Sequence, residues 1–230
     1  MLSFFLDNIH PFWEGIRVSF ELTFCALLLG ILVAAGAVAL RQERQLWWLN
    51  APISVFFLFL RSTPILVQIY LVYYGFGQFD AVRHSLFWPM LQNPTYCAIW
   101  ALGFNSAAYT SVIMQGALDA IPKGEIEAAT ALGFTARQRL FGLQGKRALL
   151  NLWPNYTNEI IMVFKATSIA STITVLELMG MTRQLISDTF QVTDCLIIAG
   201  ILYLLITYSL TLVLKLIEYL CLPNPTTKRL

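Results

Sequence analysis

Charge is what this sequence is short of. Only 12% of its 230 residues are Asp, Glu, Lys or Arg and 57% are apolar, whereas a typical soluble domain is about a quarter charged. That scarcity excludes an ordinary water-exposed globule and leaves a chain whose apolar runs must meet lipid. The net charge is only +2, so no broad basic field exists to attract nucleic acid. Histidine is nearly missing, and His10 and His84 lie far apart, which argues against a metal hydrolase. Nothing reads GxxxxGK[ST], so no phosphate loop is expected. Cys25, Cys97, Cys195 and Cys221 sit in or beside apolar segments without paired spacing and are read as small buried hydrophobes, with no disulfide and no metal site. The opening MLSFFLDNIHPFWEG lacks a basic region and a small-residue cleavage site, so no removable signal peptide is expected.

What is present is hydrophobic length. Five spans fit the pattern, near residues 20–40, 53–76, 96–114, 156–179 and 196–216, the second interrupted by Arg61-Ser62-Thr63-Pro64. The expectation is an all-α membrane protein, one transmembrane domain over 1–230, with a polar island at about 115–150. Odd parity puts the termini on opposite sides. With the amino terminus outside, inner segments hold ten basic residues (Arg41, Arg44, Lys123, Arg137, Arg139, Lys146, Arg147, Lys215, Lys228, Arg229), against three outside (Arg17, Arg83, Arg183). Basic loops resist translocation, so the island and carboxyl terminus are expected in the cytoplasm. The outer loops, near 77–95 and 182–194, are too short to be binding domains.

The island carries PKGEIEAATALGFTARQRL. Pro122 can open a helix where its missing N–H costs nothing, and Gly133 can close it in a left-handed conformation. A helix of about ten residues is marginal alone in water and must gain stability by docking. Ala128, Ala129 and Ala131 would present a low-profile surface, with Ile126 and Leu132 as apolar anchors and Glu125 and Glu127 near the positive end of the helix dipole. Thr135 can cap a second helix over 136–143.

Polar groups at membrane depth are costly enough to count as functional candidates. Arg61, Glu159 and Lys165 lead, followed by Gln68, Asn105, Tyr109, Thr167 and Ser168. Glu159 is either an interfacial, solvated carboxylate or a cavity acid that pairs with a guanidinium or ammonium group. Lys165 either contacts substrate or forms a structural ion pair with Glu159 or with an acid of a partner. Arg61 beside Pro64 marks a helix break and is read as a packing or gating residue. Asn105 and Tyr109 lie one turn apart, and their shared face either lines a path or holds the bundle together. Glu21 and Glu177, near span ends, are read as interfacial.

Several segments together resemble a known family. PKGEIEAATALG looks like the cytoplasmic loop shared by inner-membrane permease subunits of binding-protein-dependent ABC importers. FLRSTPILVQIYLVYYG, residues 59–75, resembles the Phe-Arg-Gly-Thr-Pro-Leu-Leu-Val-Gln stretch of the polar amino acid permeases, and NEIIMVFKATSIASTITVLELMG, residues 158–180, resembles their fourth core helix. LGFNSAAYTSVIMQGALDAIP, with Tyr156-Thr157-Asn158-Glu159, is most similar to the arginine and histidine branch. The resemblance covers nearly the whole chain. It implies a type I importer permease in the bacterial inner membrane that carries a basic amino acid, arginine foremost, with histidine, lysine, ornithine or an opine as others; a permease for glutamine or glutamate is the alternative. It also implies Glu127, Ala128, Ala129 and Gly133 as the coupling element on a separate ABC ATPase dimer, which would bind the ATP and magnesium; this chain would be no enzyme and hold no cofactor. A second homologous permease, or a second copy, and a periplasmic solute-binding protein would complete the assembly.

The sequence departs from that family at three places. Ser62 stands where glycine is usual. Gly145-Lys146-Arg147-Ala148 replaces a Leu-Pro-Gln-Ala turn, so a more continuously helical and more basic exit from the loop is expected. Ala166 stands where many relatives carry aspartate. Against the importer stand a membrane-embedded enzyme using Glu159 and Lys165 as acid and base, and a channel or structural anchor.

Overall fold

The computed structural model describes residues 2–42, 47–135 and 138–221; Arg44, Arg137, Lys228 and Arg229, counted above for orientation, lie outside the described residues. Among the described residues every regular element is helical. A short helix α1 (Leu2–Asp7) leads into α2 (Ile9–Gln42). Helix α3 (Trp47–Ser62) is followed by α4 (Ile65–Tyr70), which continues as a π-helical turn (Leu71–Gly75) and a 3-10 turn (Phe76–Gln78). Two single-turn helices, α5 (Asp80–Arg83) and α6 (Trp88–Leu91), connect to α7 (Pro94–Asp119). Then come α8 (Lys123–Ala131), a π-helical segment (Arg139–Gln144), α9 (Gly145–Ala166), a 3-10 stretch (Thr167–Ile173), α10 (Leu178–Thr189) and α11 (Val192–Cys221).

Among the described residues three helices are long and apolar enough to cross a bilayer alone, Ile9–Arg41, Pro94–Asp119 and Val192–Leu220, and two bent pairs bring the total to five if each is one span. The five-span reading of the sequence matches this arrangement, with two adjustments. The first helix starts at Ile9 rather than near Phe20, because Arg17 bridges Glu14 (3.6 Å) and Glu21 (2.8 Å) along one face and extends the helix past its apolar stretch. The fourth span does not run straight to Met179. It tightens to 3-10 geometry after Ala166, turns at Thr174 with φ 71°, and resumes as α10, bent by 43°, over residues expected partly as a loop.

The centre of the bundle is the pairing of α2 with α7. Small residues allow it: a Cβ on Gly103 would sit 2.7 Å from Leu29 Cδ2, and one on Gly30 would sit 3.1 Å from Ser106 Oγ. With no hydrophobic force between helices in lipid, such close backbone approach is what holds them. Leu22, Ala26, Ala98, Ala101 and Leu102 fill the seam. Phe12, Leu178, Leu185, Cys195 and Ile198 form a second cluster where α10 and α11 meet the start of α2. Phe24, Leu28, Leu32 and Leu212 remain exposed, an apolar surface suited to lipid.

Candidate functional site: the broken second span and the Glu159 cavity

Pro64 determines the local geometry of the second span. Lacking an N–H, it leaves the carbonyl of Leu60, four residues back, without its helical donor, and the chain bends by 111° between Trp48–Ser62 and Ile65–Gln78. The stranded carbonyls are met from the side. Gln68 Nε2 lies 2.6 Å from Leu60 O, 3.0 Å from Thr63 O and 2.9 Å from Thr63 Oγ1. Asn105 Nδ2, from α7, donates to Leu60 O and to Gln68 Oε1, both at 3.1 Å. Tyr109, one turn on, donates to Arg61 O at 3.4 Å. A break at membrane depth is tolerated when its backbone groups find such partners. Gln68, Asn105 and Tyr109 therefore splice the second span to α7, while the Arg61 side chain is exposed.

Beside this splice lies a cavity of about 400 Å³, lined by Thr63, Pro64 and Ile65 from the break, Leu102, Asn105 and Tyr109 from α7, and Asn158, Glu159, Met162, Val163 and Ala166 from α9. Its size suits a small-molecule ligand. Glu159 is the one charged group in that lining, and it is 9% exposed, which does not fit the solvated, interfacial alternative. The remaining polar groups, amides and hydroxyls, can hydrogen-bond a zwitterion without adding charge.

Lys165 is elsewhere. It lines a different cavity, of about 490 Å³, with Ser168, Tyr203, Leu204, Thr207, Tyr208 and Thr211. Six residues along a helix rotate a side chain by about 240°, so Glu159 and Lys165 face apart. No ion pair joins them among the described residues, and an acid and base on different faces do not form a catalytic pair. Thr167 is buried and donates to Phe164 O. Among the described residues no group of His, Cys, Asp or Glu could hold a metal.

Glu177 corrects the sequence reading most sharply. Expected at an interface, it is fully buried. Its carboxylate caps α10, accepting from Met179 N and Gly180 N at 2.9 Å each, and also accepts from Tyr203 Oη at 3.0 Å and Ser19 Oγ at 3.5 Å. Ser19 Oγ accepts in turn from Leu178 N at 3.2 Å. One acid thus ties α2, α10 and α11 together. Glu is an uncommon N-cap, so the local sequence carried little signal for it. Glu21, by contrast, is exposed on its pair with Arg17.

The island holds a second candidate site. α8 runs from Lys123 to Ala131 behind Pro122, and Gly133 follows at φ +80°. Gly133 N donates to Thr130 O and Phe134 N to Ala129 O, both at 3.0 Å, the paired bonds of a Schellman stop. Ala129 is buried while Glu127 and Ala128 are exposed, and Leu132 (76% exposed) and Phe134 (46%) present apolar surface to solvent at the helix end. Thr135 and Gln138 close a reciprocal capping box, Thr135 N to Gln138 Oε1 at 2.9 Å and Gln138 N to Thr135 Oγ1 at 3.3 Å. Residues 136 and 137, where the second helix was expected to start, lie outside the described residues. From Arg139 the chain is π-helical and passes directly into α9, so the exit is continuously helical where the family's proline is missing.

Known proteins are similar to this chain in fold and in sequence. An amino acid ABC transporter crystallised with histidines superposes with a TM-score of 0.84 at 26% identity, covering 95% of this chain and 97% of that one. The chain is 40% identical to the octopine transport system permease protein of Rhizobium radiobacter over 99% of its own length and 93% of the relative's. It is also 40% identical to the arginine ABC transporter permease protein of Haemophilus influenzae, over 93% of each. With residues 26–219 matching its family model, the chain belongs to the family described as binding-protein-dependent transport system inner membrane component.

Proposed function

We propose that this chain is a permease subunit of an ABC importer that moves a basic amino acid, arginine foremost, across the inner membrane. The observation that carries the substrate class is the Glu159 cavity: one buried carboxylate among amides and hydroxyls, in a lining without a Lys or Arg. A cationic side chain leaving water is offset there by a charge-assisted hydrogen bond, whereas an acidic substrate would be repelled. Relatives named for arginine and octopine support the same chemistry, since both molecules carry a guanidinium group. A glutamine or glutamate substrate is not favoured.

The transport cycle is alternating access. The amino terminus is periplasmic and the carboxyl terminus cytoplasmic, in keeping with the distribution of basic residues. A solute-binding protein delivers the amino acid outside to a pair formed with a homologous permease or a second copy. Two copies of a separate ATPase, holding ATP and magnesium, bind α8 from the cytoplasm, and Ala128, Leu132 and Phe134 supply the low, apolar docking surface. This chain performs no chemistry of its own; Glu159, Asn105 and Tyr109 recognise the solute, and Gly133 shapes the end of the docking helix.

Purified complexes in proteoliposomes test the reading. Glu159→Gln keeps shape and removes charge, and is expected to lower arginine uptake tens-fold, about 2 kcal/mol, with ATPase docking intact. Near-normal arginine uptake by the assembled variant would refute the assignment of Glu159.

A further inference from the structure

The coupling helix α8 is joined to the chain that follows it by more than covalent connection. Arg147, in the first turn of α9, forks onto Glu125 in the first turn of α8, Nε to Oε2 and Nη2 to Oε1, both at 3.1 Å. At the other end of α8, Arg139 donates to Thr130 Oγ1. Two guanidinium groups of the descending segment therefore grip a nine-residue helix, one at each end. The covalent path between the same two helices runs through residues 132–144, where Gly133 and Gly142 have open space around them. Arg147 and Lys146 also stand within the stretch that departs from the family's turn, so the helix entering α9 is continuous here.

From these contacts we infer that the Glu125–Arg147 fork is the joint that makes α8 and the base of α9 move as one lever. A bidentate guanidinium–carboxylate pair fixes orientation as well as distance, which a single lysine contact would not. Arg147 lies twelve positions before Glu159 on the same helix, about 18 Å along its axis, and α9 stays helical through Pro154. Displacing α8 then displaces the wall of the Glu159 cavity directly. Glu125 and Arg147 are positioning residues: neither lines that cavity. The inference rests on the coupling role given to α8 above.

The test uses the whole complex with its ATPase in proteoliposomes and reads solute taken up per ATP hydrolysed. Arg147→Gln and Glu125→Gln are each expected to lower that ratio about two- to fivefold, the range open to a partly exposed pair, while ATPase binding stays at the wild-type level. Raising salt should lower the wild-type ratio and leave both variants unchanged, because the pair is screened. The charge exchange Glu125→Arg with Arg147→Glu should recover most of the loss, and Arg147→Lys only part. Failure of the wild-type complex to bind an ATPase would refute the coupling role of α8 itself. With binding intact, unchanged ratios, losses that the exchange does not recover, or weakened ATPase binding in the single variants would each overturn the joint, the last by showing that these residues touch the ATPase instead.

Discussion

Gln68→Met is the substitution that most directly probes how the second span survives its break. Methionine keeps the length and unbranched shape of glutamine and removes both of its polar ends. Leu60 O would retain Asn105 as a donor, and Thr63 Oγ1 would retain its bond to Phe59 O at 2.9 Å. Thr63 O would lose the Gln68 amide, and one N–H of Asn105 would lose its acceptor. Each stranded group costs about 1–3 kcal/mol in soluble proteins, but polar contacts inside membranes average about 0.6 and reach about 1.7 kcal/mol. Two such losses at the membrane figures set the expected destabilisation between about 1 and 3 kcal/mol, nearer the lower end if both contacts are average. The assay is denaturation by titrating SDS into mild-detergent micelles, followed by helix content. Because Gln68 and Asn105 share Leu60 O and bond each other, the double variant with Asn105→Leu should differ from the sum of the singles by about 0.5 kcal/mol or more. A Gln68→Met cost under about 0.5 kcal/mol, with additive behaviour, would refute the view that these amides replace the donor missing at Pro64.

Gly133→Val should uncouple uptake from hydrolysis while the protein remains in the membrane, since a β-branched residue at φ +80° strains the helix stop by about 1–2 kcal/mol even with open space around it; unchanged uptake per ATP would contradict this. Glu177→Leu removes the cap of α10 and the acceptor for Tyr203 and should cost about 2–4 kcal/mol, with Tyr203→Phe near 1, measured by the same denaturation; equal effects of the two would show that the cap contributes little. Orientation is checked by a cysteine at position 146 in a cysteine-free background, which should resist a membrane-impermeant reagent in intact spheroplasts, whereas one at 83 should react.

Composition and periodicity were enough for the class, the number of spans and the place of α8, because each depends on neighbours in sequence: an apolar run is long enough or it is not, and Pro122 and Gly133 punctuate by their own backbone preferences. The identity of the polar candidates was legible for the same reason, since a charge in an apolar run is visible without a partner. Their grouping was not. Gln68 and Asn105 are 37 positions apart, and only the packing of the bent second span on α7 makes them one splice. Glu159 and Lys165 share a helix and look like a pair, yet rotation about its axis sends them to separate cavities. Glu177 reads as a boundary residue until Ser19, 158 positions earlier, and Tyr203 on the last span close around it. The physical reason is common to all three: a hydrogen bond or ion pair is decided by which faces meet in space, and in lipid that meeting is set by where small residues such as Gly30 and Gly103 let two backbones approach.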